Sequence, residues 1–176
     1  YVIPGVCDHN MREPGAAYTY LRDPKNLDFR PKPDSPLVDV GKVVTPGDVK
    51  SPVARFERLE FVGKAPDIGA YEYGDTRYWI PGCQLPQAST PVPPDGATKV
   101  KLDADLMFLE AYQCTRHRIW FGGKPDTLEL IAEREDDTTN IVALPKLQLG
   151  TTYYWRVDAV RDGVAEPGQL WHFRAE

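Results

Sequence analysis

The chain has 176 residues, a mass of 19.8 kDa, a formal net charge of −5 and a sequence pI of about 5.3. An acidic chain without a basic stripe cannot neutralise a row of phosphates, which excludes the usual electrostatic mode of nucleic-acid binding. No apolar run approaches the roughly 18 residues that a membrane helix needs, so no membrane span is predicted. The chain opens on Tyr without a signal peptide, and we expect a mature product or a piece of a longer protein.

Proline content changes along the chain and indicates a domain boundary. Fourteen of the 17 prolines lie at or before Pro94. The segment 84–96, QLPQASTPVPPDG, has linker composition, and its prolines favour an extended backbone. We therefore predict one region at 1–83, a proline-rich linker at 84–96 and a second region at 97–176.

The first region contains two notable elements, LDFRPKPDSPLVDVG at 27–41 and PDIGAYE at 66–72. Prolines in the first element remove backbone donors, which excludes a central strand and favours an edge or a cap. In the second, Gly69 permits close backbone approach and Tyr71 supplies apolar cover. Residues 42–64 lie between the elements, and their apolar side chains predict a small packed excursion.

Together the two elements resemble the closing segment of right-handed parallel β-helix proteins, of which polysaccharide lyases are one group. The resemblance implies that residues 1–83 form the last coil and cap of a β-helix, with Asp67, Gly69 and Tyr71 in structural roles. It also implies upstream coils of a parent protein as the partner. Lyase chemistry belongs to the middle coils of such proteins, and no catalytic residue is assigned to this chain.

Seven strand-like runs separated by turn signals follow in the second region. The clearest covers 152–160, where Tyr153 and Trp155 alternate with Tyr154 and Arg156, the period of a half-buried strand. The other runs are 97–103, 104–111, 114–121, 127–133, 140–144 and 169–174.

These runs resemble a bacterial variant of the fibronectin type III β-sandwich, found in secreted carbohydrate-active and surface proteins. The motifs are PVPPDGA (91–97), HRIWFGGKPD (117–126), LGTTYYWRVDAV (149–160) and GQLWHF (168–173). The resemblance implies a seven-stranded sandwich with a tyrosine corner, in which the Tyr153 hydroxyl bonds to the preceding backbone. Trp155 takes a structural role beside it. The predicted fold class is mostly β: an irregular β-helix cap followed by this sandwich.

Outward aromatic side chains provide the sharpest binding hypothesis. Trp120 and Tyr154 are predicted on the outer face of neighbouring strands, flanked by Arg116, Arg118 and Arg156. Aromatic faces stack on sugar rings and arginines attract carboxylates, so the group predicts a site for an acidic glycan. The alternative is that the aromatic rings pack against the β-helix tail or pair with the arginines across the strands.

Other polar groups predict no metal and no cofactor. The three cysteines share no close spacing, which favours isolated thiols over a zinc knuckle, with one disulfide bridge left open. His117 is predicted on the inner face of its strand as a core residue, and His172 on an exposed face. The remaining clusters are predicted to be solvated loops and turns: Asp8, His9, Asn10 and Arg12 near the start, and Asp95, Asp103 and Asp105 later.

These observations predict the non-catalytic C-terminal region of a secreted bacterial carbohydrate-active β-helix protein. The region would cap the solenoid and act as an accessory or spacer module, outside the cell or at its surface. Two alternatives stay open. In one, the chain completes a polysaccharide lyase or glycosidase whose active site lies upstream. In the other, the outward aromatics bind a polysaccharide.

Overall fold

The computed structural model describes residues 14–43 and 61–176. Within them the chain is mostly β, with sheets of two, six and three strands, which confirms the coarse fold class. Contacts divide the chain into two compact units, a first unit of residues 1–24 and 29–75 and a second unit of residues 25–28 and 76–176. In the part of the chain so described, no helix has the length and apolar character needed to cross a membrane.

In the described part of the first unit, a short helix, α1, follows Gly15, a residue with a φ of 80°. The two strands that follow form a small sheet of their own. The elements of this stretch are α1 (Ala16–Tyr20), β1 (Leu21–Asp23), a 3-10 turn (Pro24–Asn26) and β2 (Asp28–Pro31), of which residues 25–28 belong to the second unit. Within residues 14–43 and 61–75, β1 and β2 are the only strands, and the described residues show no stacked coils of a solenoid. Cys7, the polar cluster at 8–12 and most of the predicted excursion lie outside the described residues.

The second unit contains nine strands in two sheets. The three-stranded sheet has the order β3-β5-β8, and the six-stranded sheet has the order β4-β11-β9-β6-β7 with β10 paired to β9. The strands are β3 (Ser89–Val92), β4 (Ala97–Val100), β5 (Leu106–Leu109), β6 (Arg116–Gly122), β7 (Glu129–Glu135), β8 (Ile141–Val142), β9 (Thr152–Arg161), β10 (Val164–Glu166) and β11 (Leu170–Ala175). The larger sheet is mixed because β4 and β11 run parallel.

Each of the seven predicted runs overlaps a strand, and two further strands are present in the second unit. Strand β3 lies inside the segment 84–96 that the sequence predicts as a linker. It includes Pro91, which is tolerated because β3 is an edge strand of its sheet. Strand β10 forms a hairpin with β9 through Asp162 and Gly163, which both have positive φ (47° and 80°) as a type I′ turn requires.

The longer segment of the second unit begins at Thr76, ahead of the predicted linker at 84–96. Asn140 ties Tyr78 to the second unit, because its side chain forms hydrogen bonds with both the N–H and the carbonyl of Tyr78. Its Oδ1 accepts from the Tyr78 N–H at 2.8 Å, and its Nδ2 donates to the Tyr78 carbonyl at 2.8 Å and to the Phe108 carbonyl at 2.9 Å. Residues 25–28 belong to the same unit, and Asn26 donates to the Lys99 carbonyl at 3.3 Å.

The two sheets of the second unit share one core. Trp155 of β9 is fully buried, and its ring meets Trp171 of β11 edge-on, with centroids 4.7 Å apart. The inner face of β6 contributes Ile119 and Phe121. The same cluster contains Val100, Leu106, Phe108, Val142, Val157 and Phe173. Strand alternation therefore directs one side-chain set into this core and leaves the other set on the outer face of the larger sheet.

Gly168, just before β11, has no room for a side chain. A Cβ placed there would lie 2.0 Å from the carbonyl oxygen of Val157. We expect Gly168→Ala to lower the free energy of unfolding by about 2 kcal/mol or more, because the segment that leads into β11 must move away from β9. Gly123→Ala is the control, since a Cβ there would meet no atom within 4 Å. Urea unfolding of both variants checks the prediction, and equal stability of the two would refute it.

Candidate functional site

A row of four outward side chains crosses the six-stranded sheet. Trp120 on β6 pairs with Leu130 on β7 and with Arg156 on β9, and Arg156 pairs with Leu170 on β11. Leu130 and Leu170 are exposed, whereas Trp120 and Arg156 are half-buried. The row therefore presents an aromatic ring and a guanidinium group between two exposed aliphatic side chains. We call these four residues the outer row.

Arg156 covers part of the Trp120 ring. Its guanidinium carbon lies 5.6 Å from the ring centroid, within the range of a cation–π contact. The Trp120 Nε1 is buried and has no hydrogen-bond partner among the described residues. A sugar stacked on this ring would therefore have to displace the guanidinium group or use the part of the ring surface that the guanidinium leaves uncovered.

The predicted arginines lie on the same face, and each is paired with a carboxylate. Arg118 Nε lies 2.6 Å from Glu133 Oε1, and Arg116 Nη1 lies 3.5 Å from Glu133 Oε2. Arg156 makes a bidentate pair with Asp158, at 2.6 Å from Nε and 3.2 Å from Nη2. The positive charge that would attract an acidic glycan is thus largely neutralised within the sheet.

Tyr154 lies on the same face, one pair further along the strands. It is opposite Gly122 on β6 and stacks on His172 of β11, with ring centroids 6.0 Å apart. His172 in turn contacts Asp95, whose Oδ1 lies 3.0 Å from the His172 Nδ1 and accepts from the His172 N–H at 2.9 Å. The structure thus brings Trp120, Tyr154 and the three arginines onto one face. The two rings contact Arg156 and His172, and the arginines pair with carboxylates.

The turn before β9 has the hydrogen bond expected of a tyrosine corner. The Tyr153 hydroxyl accepts from the backbone N–H of Gln148 at 3.0 Å. The Tyr153 ring stacks on Phe121 with centroids 5.1 Å apart. These contacts fix the chain at the start of β9, so they position the outward side chains that follow.

Asp67 organises the first unit. Its buried carboxylate accepts from two backbone N–H groups, that of Asp39 at 2.8 Å and that of Tyr73. Asp39 Oδ1 accepts in turn from the N–H groups of Lys64 and Ala65, at 2.6 and 3.2 Å. The elements 27–41 and 66–72, distant in sequence, are therefore tied together by two carboxylates.

Backbone contacts complete this join. The N–H of Gly41 donates to the Pro66 carbonyl at 2.7 Å, and that of Ile68 donates to the Leu37 carbonyl at 2.8 Å. A Cβ on Gly41 would lie 2.5 Å from the Pro66 oxygen, so only glycine fits there. Gly69 has a φ of 138°, which favours glycine as well.

An apolar cavity of about 330 Å³ lies in the first unit. Tyr71 forms part of its wall, and its ring stacks on that of Phe29 with centroids 6.3 Å apart. The other lining side chains include Ala16, Leu21, Leu37 and Ile68. The wall is thus built from both elements and from α1 and β1, and it offers apolar contact with few polar groups.

A buried polar cluster at the start of β6 was missed by sequence reasoning as a group. The Cys114 Sγ lies 3.2 Å from the His117 Nε2 and 3.7 Å from Asp136 Oδ1. Burial, followed by the nearby Asp136 carboxylate, raises the pKa of the Cys114 thiol to about 11, and burial lowers the pKa of His117. The thiol is therefore protonated near neutral pH and poorly suited to act as a nucleophile. Cys-x-x-His is visible in the sequence, but Asp136 joins only through the pairing of β6 with β7.

Comparison with known proteins gives a narrow result. The sequence matches no family model, and no curated protein matches it. Among solved structures, the chain is similar in part to the β-1,2-glucanase from Parabacteroides distasonis, at 18% sequence identity and a TM-score of 0.36. The match covers 52% of this chain and 14% of the glucanase chain, so the similarity spans a small part of that enzyme.

Proposed function

We propose that this chain is the non-catalytic C-terminal region of a secreted bacterial carbohydrate-active β-helix protein. The first unit would close the solenoid, and the second would act as an accessory or spacer module. Both would lie outside the cell or at its surface. The observation that carries the proposal is the apolar cavity of the first unit, backed by the carboxylate-linked join between residues 27–41 and 66–72.

The chemistry of the cavity suits a cap. The last coil of a β-helix exposes an apolar interior and unpaired backbone groups, which favour edge-to-edge association unless something covers them. Leu37 and Ile68 in the cavity wall would supply the apolar cover. Pro31 and the other prolines of 27–41 lack backbone donors, so they would not extend the stack.

The second unit supports the accessory role through its architecture. Two sheets around a shared core, the Tyr153 to Gln148 hydrogen bond and the buried Trp155 favour a fibronectin type III-like sandwich. Such sandwiches are mainly scaffolds, and function on them depends on added sites. Catalysis by the parent protein, as a lyase or a glycosidase, would then reside in coils upstream of this chain.

Hydrogen exchange tests the capping role. The chain extended by the upstream residues of its native gene should protect the Ile68 amide and its neighbours more strongly than this chain alone, because the coil would exclude water from the cavity. Amides in β9 of the second unit serve as the internal control and should exchange equally in both. Equal exchange at Ile68 in the two proteins would refute the cap.

Glycan binding is a second candidate, favoured by the exposed aliphatic ends of the outer row beside Trp120 and Tyr154. It predicts that an anionic polysaccharide in a native gel retards the protein and that Trp120→Ala abolishes the retardation. Trp79→Ala removes an exposed tryptophan elsewhere in the second unit and should leave the retardation intact. Equal mobility of the parent protein with and without polygalacturonate and alginate would exclude this candidate for those polymers.

A further inference from the structure

The Cys114, His117 and Asp136 cluster has the geometry of a metal site. Their ligand atoms all lie within 4.8 Å of one another. Tetrahedral angles and bond lengths of about 2.0–2.3 Å place neighbouring zinc ligands roughly 3.3–3.7 Å apart. The sulfur-to-nitrogen distance of 3.2 Å and the sulfur-to-oxygen distance of 3.7 Å lie close to this range. Two of the three pairs thus already suit a small cation, and the third pair, His117 with Asp136, lies within 4.8 Å and would close around the ion by side-chain rotation.

Paired backbone holds the three ligands in place. Cys114 and His117 lie three residues apart at the start of β6, and the intervening Thr115 donates its N–H to the Val160 carbonyl at 2.9 Å. The N–H of Asp136 donates to the Thr115 carbonyl at 3.1 Å, which extends the β6–β7 ladder to the cluster. Because these positions are fixed by strand pairing, binding would order little additional chain.

Charge and burial also favour a divalent cation. Binding requires the Cys114 thiol to release its proton to solvent. The resulting thiolate and the carboxylate then carry two negative charges, which a divalent ion neutralises in a site where unpaired charge is unfavourable. Cys114 and His117 are buried, whereas Asp136 is half-buried and gives access to solvent. Thiolate, imidazole and carboxylate together are a ligand set that zinc accepts.

Two existing contacts oppose binding. The Cys114 thiol donates to the Ala111 carbonyl at 3.5 Å, a bond that is lost when the thiol gives up its proton. The His117 Nε2 accepts a hydrogen bond from the N–H of Ala111 at 3.0 Å. A metal at Nε2 would take that lone pair and leave the Ala111 N–H without this acceptor. The site therefore offers three protein ligands and a competing backbone donor, and we expect it to bind more weakly than closed four-ligand zinc sites.

We propose that Cys114, His117 and Asp136 form a binding site for a divalent zinc-class ion, with a fourth position open to a solvent ligand. The site would stabilise the start of β6 against β7. This inference is independent of the proposed capping function, because it concerns the second unit alone.

Metal titration of the full chain tests the site. Zn²⁺ should bind with one equivalent per chain, and Co²⁺ should show a thiolate-to-metal charge-transfer band. Cys114→Ser should abolish the band, and Asp136→Asn should weaken Zn²⁺ binding at least tenfold. Cys83→Ser is the matched control, because Cys83 is exposed and should leave both signals unchanged.

A second readout separates binding from folding. Zn²⁺ should raise the Tm of the parent chain and of Cys83→Ser by mass action, and should leave the Tm of a folded Cys114→Ser variant unchanged. If Cys114→Ser fails to fold, Asp136→Asn provides the same comparison. Absence of Zn²⁺ binding by the parent chain, or binding that persists in both Cys114→Ser and Asp136→Asn, would overturn the proposal.

Discussion

Trp155→Ala will lower the free energy of unfolding of the second unit by about 3 to 5 kcal/mol, the usual loss when a fully buried tryptophan is truncated. The ring lies at the centre of the core shared by the two sheets and meets Trp171 edge-on. Its removal leaves a cavity that neighbouring β-strands, fixed by their hydrogen bonds, can fill only in part. Urea unfolding followed by circular dichroism measures the loss.

Trp79→Ala is the matched control for this substitution. Trp79 is 66% exposed, and its truncation removes little buried surface. We expect it to change the free energy of unfolding by less than about 1 kcal/mol. A Trp155→Ala protein as stable as the Trp79→Ala protein would show that the shared core is not organised around Trp155.

Asp67→Ala will disrupt the join that forms the proposed cap. The carboxylate accepts from the N–H groups of Asp39 and Tyr73, and hydrogen bonds to a charged group contribute about 1.5–3 kcal/mol each. We therefore expect a loss of about 3 kcal/mol or more in the first unit. Hydrogen exchange at these two amides measures it, since both should lose protection.

Asp34→Ala is the control for the join, because Asp34 is an exposed carboxylate in the same element of the sequence. It should leave the exchange of both amides unchanged. Asp67→Asn should fall between the two, because an amide side chain keeps one oxygen acceptor. Full protection of the Asp39 and Tyr73 amides in Asp67→Ala would contradict the role assigned to this carboxylate.

Sequence periodicity was sufficient to predict the faces of the central strands. In β6 and β9 the period of two assigns His117 and Trp155 to one face and Trp120 and Arg156 to the other, and the structure buries the first pair. The pattern is reliable there because one face of each strand lies against the core and the other faces outward.

Partners across strands could not be predicted in the same way. A register irregularity between Ile119 and Trp120 places Leu130 opposite Trp120. Such an irregularity leaves no clear signal in the sequence. The pairing of Arg118 with Glu133 depends on that register, as does the position of Asp136 beside Cys114. The candidate sites therefore needed the structure, although most of their residues could be named from the sequence.

The sequence carries a turn signal for a strand, β10, that the predicted runs do not include. Asp162 and Gly163 form a two-residue hairpin turn, a strong signal for the β9–β10 pair. Strand β3 was harder to predict, because Pro91 argues against a strand unless the strand lies at an edge. In the first unit, prolines predicted a cap-like segment, but the link from Asp39 to Asp67 spans residues that no local pattern connects.

The intact mass and N-terminal sequence of the protein in its native source test the central claim most directly. The capping proposal predicts a species much larger than 19.8 kDa, with repeated short strands upstream of Tyr1. A native species of 19.8 kDa would contradict the proposal, because no solenoid would then exist for the first unit to close.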